Sequence, residues 1–104
     1  MIKETQMTNA AAQEVFSLQP GDFTVGRDTD NDLAFGDPTI SAHHAKIVTY
    51  FNATYIKDLN STNGTFINGR RVSMHTLHAG DIVRIGKHTL QLEMQDGLPR
   101  LAIR

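Results

Sequence analysis

Apolar residues recur along this chain in short bursts that alternate with polar ones, and turn residues break every burst. Glu14-Val15-Phe16-Ser17-Leu18 alternates, and Gln19-Pro20-Gly21-Asp22 turns it. Phe23-Thr24-Val25 ends at Gly26-Arg27, and the brief run Leu33-Ala34-Phe35 breaks at Gly36-Asp37-Pro38. Ala45 to Phe51 is predicted as a strand with Ala45, Ile47 and Val48 inward, turning at Asn52-Ala53 into Thr54 to Leu59. Asn60 to Gly64 is turn chemistry throughout. Thr65-Phe66-Ile67 is predicted to meet Arg71-Val72 across Asn68-Gly69-Arg70, because Asn-Gly is the strongest short hairpin signal. Ala79-Gly80-Asp81 introduces Ile82 to Ile85. Gly86-Lys87 turns the chain into His88 to Met94, and Leu98 to Ile103 adds a last strand. Residues 1–13 follow neither period and are predicted as a flexible N-terminal tail, with a helical turn at Asn9-Ala10-Ala11-Ala12.

Strands this short, with turns every eight to ten residues and no long helix, predict an all-β protein. The expected architecture is an antiparallel β-sandwich of about ten to eleven short strands, with its ligand loops at one end. The folded domain spans 14–104. A chain of 104 residues can bury roughly two-thirds of its unfolded surface, so it folds without staples.

Composition narrows the function classes. There is no cysteine, which excludes disulfides, thiolate metal sites and a thiol nucleophile. Ten Lys and Arg against eleven Asp and Glu leave a net charge of -1, so no broad field draws nucleic acid or an anionic membrane. No apolar run is long enough to span a bilayer, and the first residues lack the apolar core of a secretion signal. A cytoplasmic location is the expectation.

Three loops carry unusual content: Gly26-Arg27, Thr39-Ile40-Ser41-Ala42-His43-His44, and Asn60-Ser61-Thr62-Asn63-Gly64-Thr65. Together they offer a guanidinium, several hydroxyls, an amide and turn N–H groups, a set dominated by donors. The physical match is a dianionic phosphate with three acceptor oxygens. The same hydroxyls and amides can also serve the turns' own backbones.

The ordered set Gly26-Arg27, Ser41-x-x-His44 and Asn63-Gly64 resembles the signature of the forkhead-associated (FHA) domain, in the manner of a small bacterial FHA protein. The flanking text agrees over roughly Val15 to Met94, including Thr39-Ile-Ser-Ala-His-His-Ala and Asp58-Leu-Asn-Ser-Thr-Asn-Gly-Thr-Phe-Ile-Asn-Gly. The resemblance implies a β-sandwich that binds phosphothreonine on a partner protein in Ser/Thr kinase signalling, without catalysis and without a cofactor. It implies that Arg27 forks onto phosphate oxygens, that Ser41 donates its hydroxyl, and that Thr62 adds a contact through its hydroxyl or backbone N–H. Asn63 would bond the ligand main chain, while Gly26, His44 and Gly64 would shape the loops. The partner would be a phosphothreonine-containing protein or peptide, such as a kinase or its substrate. Selection of threonine over serine would come from a recess for the γ-methyl, about 0.8 kcal/mol by area. Selection of later ligand residues would come from the loop before Ser41 and the hairpin from Asn68 to Arg71. Phosphorylated Thr5 or Thr8 in the tail would be a candidate ligand of the same site.

The chain departs from the family pattern at Ala42, where the family commonly has Arg, Asn or Lys. Arg70 or Arg71 are the candidates to supply an auxiliary contact. The alternative reading is a phospho-independent scaffold or dimerisation module with a degenerate phosphate site. Other signals are weaker. Asp28 to Asp32 resembles a calcium loop but has Leu33 where Gly is needed and Thr39 where Glu is needed. Ser41, His44 and Asp37 lack a nucleophile-elbow sequence. His75-x-x-His78 and His43-His44 have no acidic partner at metal-ligand spacing.

Overall fold

Antiparallel pairing follows directly from the alternation, because a period of two gives each strand one face to bury. A computed structural model describes the backbone over residues 3–8 and 11–104, and side chains from Glu14 onward. The strands in chain order are β1 (Lys3–Thr8), β2 (Ala11–Ser17), β3 (Gly21–Gly26), β4 (Leu33–Ala34), β5 (Ala45–Tyr50) and β6 (Ala53–Asp58). They continue with β7 (Thr65–Ile67), β8 (Arg70–Val72), β9 (Met74–Leu77), β10 (Ile82–Ile85), β11 (His88–Gln95) and β12 (Leu98–Ile103). A seven-stranded sheet runs β1-β2-β12-β11-β10-β7-β8, and a five-stranded sheet runs β4-β3-β5-β6-β9. Every pairing is antiparallel except the two-residue parallel bridge of β4 to β3. The expected all-β sandwich is the observed fold, with β1 and β9 added to the ten strands read from the alternation. Among the described residues no helix is long and apolar enough to cross a membrane.

The core lies between the sheets. Phe23, Val25, Ala45, Ile47 and Ile56 face it from one side, and Phe16, Ile67, Val83, Ile85, Leu90, Leu92 and Leu101 from the other. Phe16 meets Phe23 edge to face, with ring centroids 5.9 Å apart. Two readings need correction. Val48 does not face inward: strict alternation from Ala45 and Ile47 buries Thr49 instead, whose hydroxyl lies 3.4 Å from that of Thr54. The segment expected as an irregular tail carries β1, paired to β2 from Lys3↔Phe16 to Thr8↔Ala11. Asn9 and Ala10 of the expected helical turn lie outside the described residues, and Ala11 and Ala12 open β2.

The register decides which loops share an end. Val25 pairs with Ala45 and Ala45 with Asp58, so the β3–β4, β4–β5 and β6–β7 loops all leave one end of the five-stranded sheet. Ile85 pairs with Thr65 and His88, which brings the β10–β11 turn of the other sheet to that end. The Asn68-Gly69 turn lies at the opposite end. Both of its residues have positive φ (49° and 86°), and Asn68 bonds Asp81 and Ile82 there.

Candidate functional site

Arg27 follows the last residue of β3, and its backbone N–H donates to the Ser41 carbonyl at 2.9 Å. Asp28 N–H reaches the Ala42 carbonyl at 3.3 Å, so the β3–β4 and β4–β5 loops are stitched by backbone bonds. Gly26 makes this contact possible: a Cβ there would lie 2.3 Å from the Ala42 oxygen. The Arg27 guanidinium donates from Nη1 to the Ile40 carbonyl at 3.2 Å, and its Nε lies 3.6 Å from the Asp28 carboxylate. The side chain is half exposed, and most of its five N–H donors stay available.

Ser41 is held from two sides. Its N–H donates to His44 Nδ1 at 3.1 Å, and its Oγ accepts the Thr62 N–H at 3.0 Å. Buried His44 spans the loops, because its Nε2 lies 2.9 Å from the Gly64 carbonyl. These partners select the neutral ring protonated at Nε2. Neither ring nitrogen is directed at the Ser41 hydroxyl, so the pair is not a nucleophile with its base. Ser41 Oγ accepts one bond and keeps its own proton to give.

Thr62 and Asn63 sit exposed on the β6–β7 loop. The Thr62 backbone N–H is engaged by Ser41, which leaves its hydroxyl as the free group. Asn63 Nδ2 donates to the Thr39 carbonyl at 2.8 Å, leaving Oδ1 and a second N–H open. Gly64 has φ +95°, and its N–H donates to Ser61 Oγ at 3.0 Å. A Cβ on Gly64 would lie 2.7 Å from Arg71 Nε, so the Arg71 guanidinium lies over this glycine. Arg71 is thus brought to the site. Arg70 is not: it pairs with Ile67, toward the opposite end, as does the hairpin turn expected to help select ligand residues. Ala42 contributes only its backbone, accepting from Asp28 N–H and Asn31 Nδ2.

Several residues that the motif did not single out hold these loops. Asn31 donates from Nδ2 to the carbonyls of Asp28 and Ala42, both at 2.8 Å. Asp37 accepts from the Thr39 N–H and hydroxyl, each at 2.8 Å, and faces His88 Nε2 at 3.0 Å. The Thr39 bonds, with His88 and Lys87 nearby, lower its pKa from 3.8 to about 2 against the opposing effect of burial. Asp58 accepts from the Ser61 hydroxyl at 2.6 Å, the Ser61 N–H at 3.0 Å and the Thr65 hydroxyl at 2.7 Å. Burial opposes its ionisation, but those bonds prevail and its pKa is lowered. The spacings Asp37-x-Thr39 and Asp58-x-x-Ser61 are local turn signals present in the sequence. Asn31 has none, since its partners include a residue eleven positions away.

Among the described residues, Asp28, Asp30 and His43 form the group of three metal-capable donors, with ligand atoms within 4.8 Å of one another and all exposed. His43 Nε2 lies 2.9 Å from Asp30, and this hydrogen bond and charge raise the imidazole's pKa.

With this geometry in place, the family model of the FHA domain matches residues 23–86, and the chain belongs to that family. It is 44% identical over 80 residues to an ABC transporter ATP-binding/permease protein of Mycobacterium tuberculosis, covering 77% of this chain and 9% of the relative. An NMR-based structure of the second FHA domain of that transporter superposes with a TM-score of 0.66 at 38% identity, covering all of this chain and 86% of the other. Mycobacterium tuberculosis EmbR in complex with a low-affinity phosphopeptide superposes with a TM-score of 0.71 at 31% identity, covering 78% of this chain and 24% of EmbR. The chain spans a small part of the transporter's length, and FHA domains are binding modules.

Proposed function

We propose that this domain binds phosphothreonine on a partner protein and recruits or regulates that partner without catalysis. The observation that carries the reading is the Ser41 Oγ–Thr62 N–H bond. It joins the second and third loops where backbone bonds from Arg27 and Asp28 join the first and second. The joined loops hold a guanidinium and two hydroxyls in place before any ligand arrives, so binding loses little entropy in ordering them. Arg27 and Ser41 retain donors for a phosphate dianion, Thr62 retains its hydroxyl, and Asn63 keeps Oδ1 open as an acceptor for a ligand backbone N–H. Arg71 supplies a second guanidinium at the loop edge, offsetting the missing side chain at Ala42. The phosphopeptide complex of EmbR supports the ligand class.

His44 serves the loops in this reading, since its two nitrogens face the Ser41 N–H and the Gly64 carbonyl. Ser/Thr kinase signalling in the cytoplasm is the proposed setting. Thr5 and Thr8 of β1 remain candidate internal ligands, and their side chains lie outside the described residues.

The test is fluorescence anisotropy with matched phosphothreonine, phosphoserine and unphosphorylated peptide pools. Binding should be restricted to phosphothreonine. Arg27→Ala should weaken it by about 2–4 kcal/mol, roughly thirty-fold to a thousand-fold. Unchanged affinity in a folded Arg27→Ala protein would sink the assignment. Binding that survives both phosphatase and this substitution would favour a phospho-independent scaffold.

A further inference from the structure

We propose that Arg71, Phe66 and Arg84 form an anion-reading strip on the outer face of the seven-stranded sheet, which takes an acidic side chain of the same ligand a few residues from its phosphothreonine. The inference rests on the phosphothreonine reading and extends it to ligand selection.

The strip is a consequence of register. Arg71 on β8 pairs with Phe66 on β7, and Phe66 pairs with Arg84 on β10. Directly paired residues point to the same side of a sheet. That side is the outer one, because Ile67, Val83 and Ile85 occupy the buried positions of the same strands. The three side chains therefore stand in one row, and the backbones of Arg71 and Arg84 are two strand spacings, about 10 Å, apart.

Two features make the row suited to an anion. The Arg84 guanidinium lies over the Phe66 ring, with 4.2 Å from Cζ to the centroid, which holds it against this row. Several other surface cations are matched by carboxylates, Lys46 by Asp22, Lys87 by Asp37 and Arg104 by Glu93, whereas Lys57 and Arg70 stand apart from this row without such a partner among the described residues. Among the described residues, Arg71 and Arg84 have no carboxylate within ion-pair distance, and Arg84 is engaged only by the Gly86 carbonyl at 3.2 Å and the ring.

Continuity with the loops sets the ligand. Arg71 reaches from the sheet face to Gly64, next to Asn63 and Thr62. A ligand lying extended from the phosphate pocket advances about 3.3 Å per residue, so a group about two to five residues away can meet the row. A carboxylate there would find forked donors that no internal carboxylate engages, with one Arg84 N–H shared with the Gly86 carbonyl.

The probe is one phosphothreonine peptide made in versions with Glu, Gln or Lys at each of these flanking positions, on both sides, titrated by anisotropy at low and high salt. The wild-type protein should bind the best Glu version about three-fold to ten-fold more tightly than its Gln counterpart, and salt should erase the difference. Arg84→Gln should leave the Gln peptide's affinity unchanged and abolish the preference for Glu. Arg84→Glu should turn the preference toward Lys. Equal binding of the Glu and Gln versions by the wild type, with dependence on phosphate and on Arg27 intact, overturns the strip and leaves the phosphothreonine reading standing. So does a Glu preference that survives Arg84→Glu. Phosphate-independent binding by the wild type overturns both.

Discussion

Gly26 shows how much of the site rests on single atoms. A Cβ at this position would lie 2.3 Å from the Ala42 carbonyl and 2.7 Å from Asn31 Nδ2. Gly26→Ala should therefore push the β3–β4 and β4–β5 loops apart and break the bonds that Asp28 and Asn31 give to Ala42. The expected loss is about 1–3 kcal/mol of stability, read by urea denaturation, together with weaker phosphopeptide binding by anisotropy. An Ala variant as stable and as tight-binding as the parent would show that the loops do not need this contact. At this scale the motif made Gly26, Arg27, Ser41, His44, Asn63 and Gly64 visible in the sequence. Asn31 was not visible, because its bonding to Ala42 exists only once two distant loops meet.

At the scale of elements, the β4–β5 loop is anchored by a hydrophobic plug. Ile40 is fully buried in the core cluster although its neighbours Thr39 and Ser41 are not. Removing the plug would leave a cavity beneath Ser41 and loosen the carbonyl that Arg27 holds. Ile40→Ala should cost about 2–5 kcal/mol in thermal or urea unfolding and should also raise the phosphopeptide dissociation constant. Normal affinity in a destabilised Ile40→Ala protein would separate core packing from loop placement. Elements were legible where alternation had a face to bury. β9 escaped because three of its four residues are exposed and only Leu77 enters the core. Within β5 residue type points to Val48, but strict alternation decides the face and buries Thr49.

At the scale of the whole molecule, several buried or bonded carboxylates act together on stability. The pKa of Asp37 falls from 3.8 to about 2 in the fold, and those of Asp58 and Asp81 are also lowered. Asp81 resists the effect of burial through the His78 N–H and the Asn68 amide. A lowered folded-state pKa means stability that is fully present above the unfolded value and is lost as pH falls through the folded one. Melting temperature should therefore drop between about pH 4 and pH 2, and Asp37→Asn should flatten that limb. His43 works in the opposite direction. Its raised pKa gives stability that is present below 6.5 and fades as pH rises through the higher folded value. Thermal melts of both proteins from pH 2 to pH 8 would check the two limbs, and an acid limb unchanged by Asp37→Asn would count against Asp37.

The sequence alone determined the strand-and-turn texture, a hairpin turn at Asn68-Gly69 and the identity of the loop residues, since these depend on local backbone preference and on a period of two. It left Arg70 in that turn, whereas Arg70 opens β8 and pairs with Ile67. Tertiary structure alone decided which loops share an end. That outcome depends on register: the pairing of Ile85 with Thr65 and of Ala45 with Asp58 sends the Asn68-Gly69 turn away from the site and lays Arg71 over Gly64. It also lined up Arg71, Phe66 and Arg84, residues from three strands whose common face no local signal records. Local preference acts over a few residues, whereas cross-strand neighbours are set only when the two sheets close over a shared core.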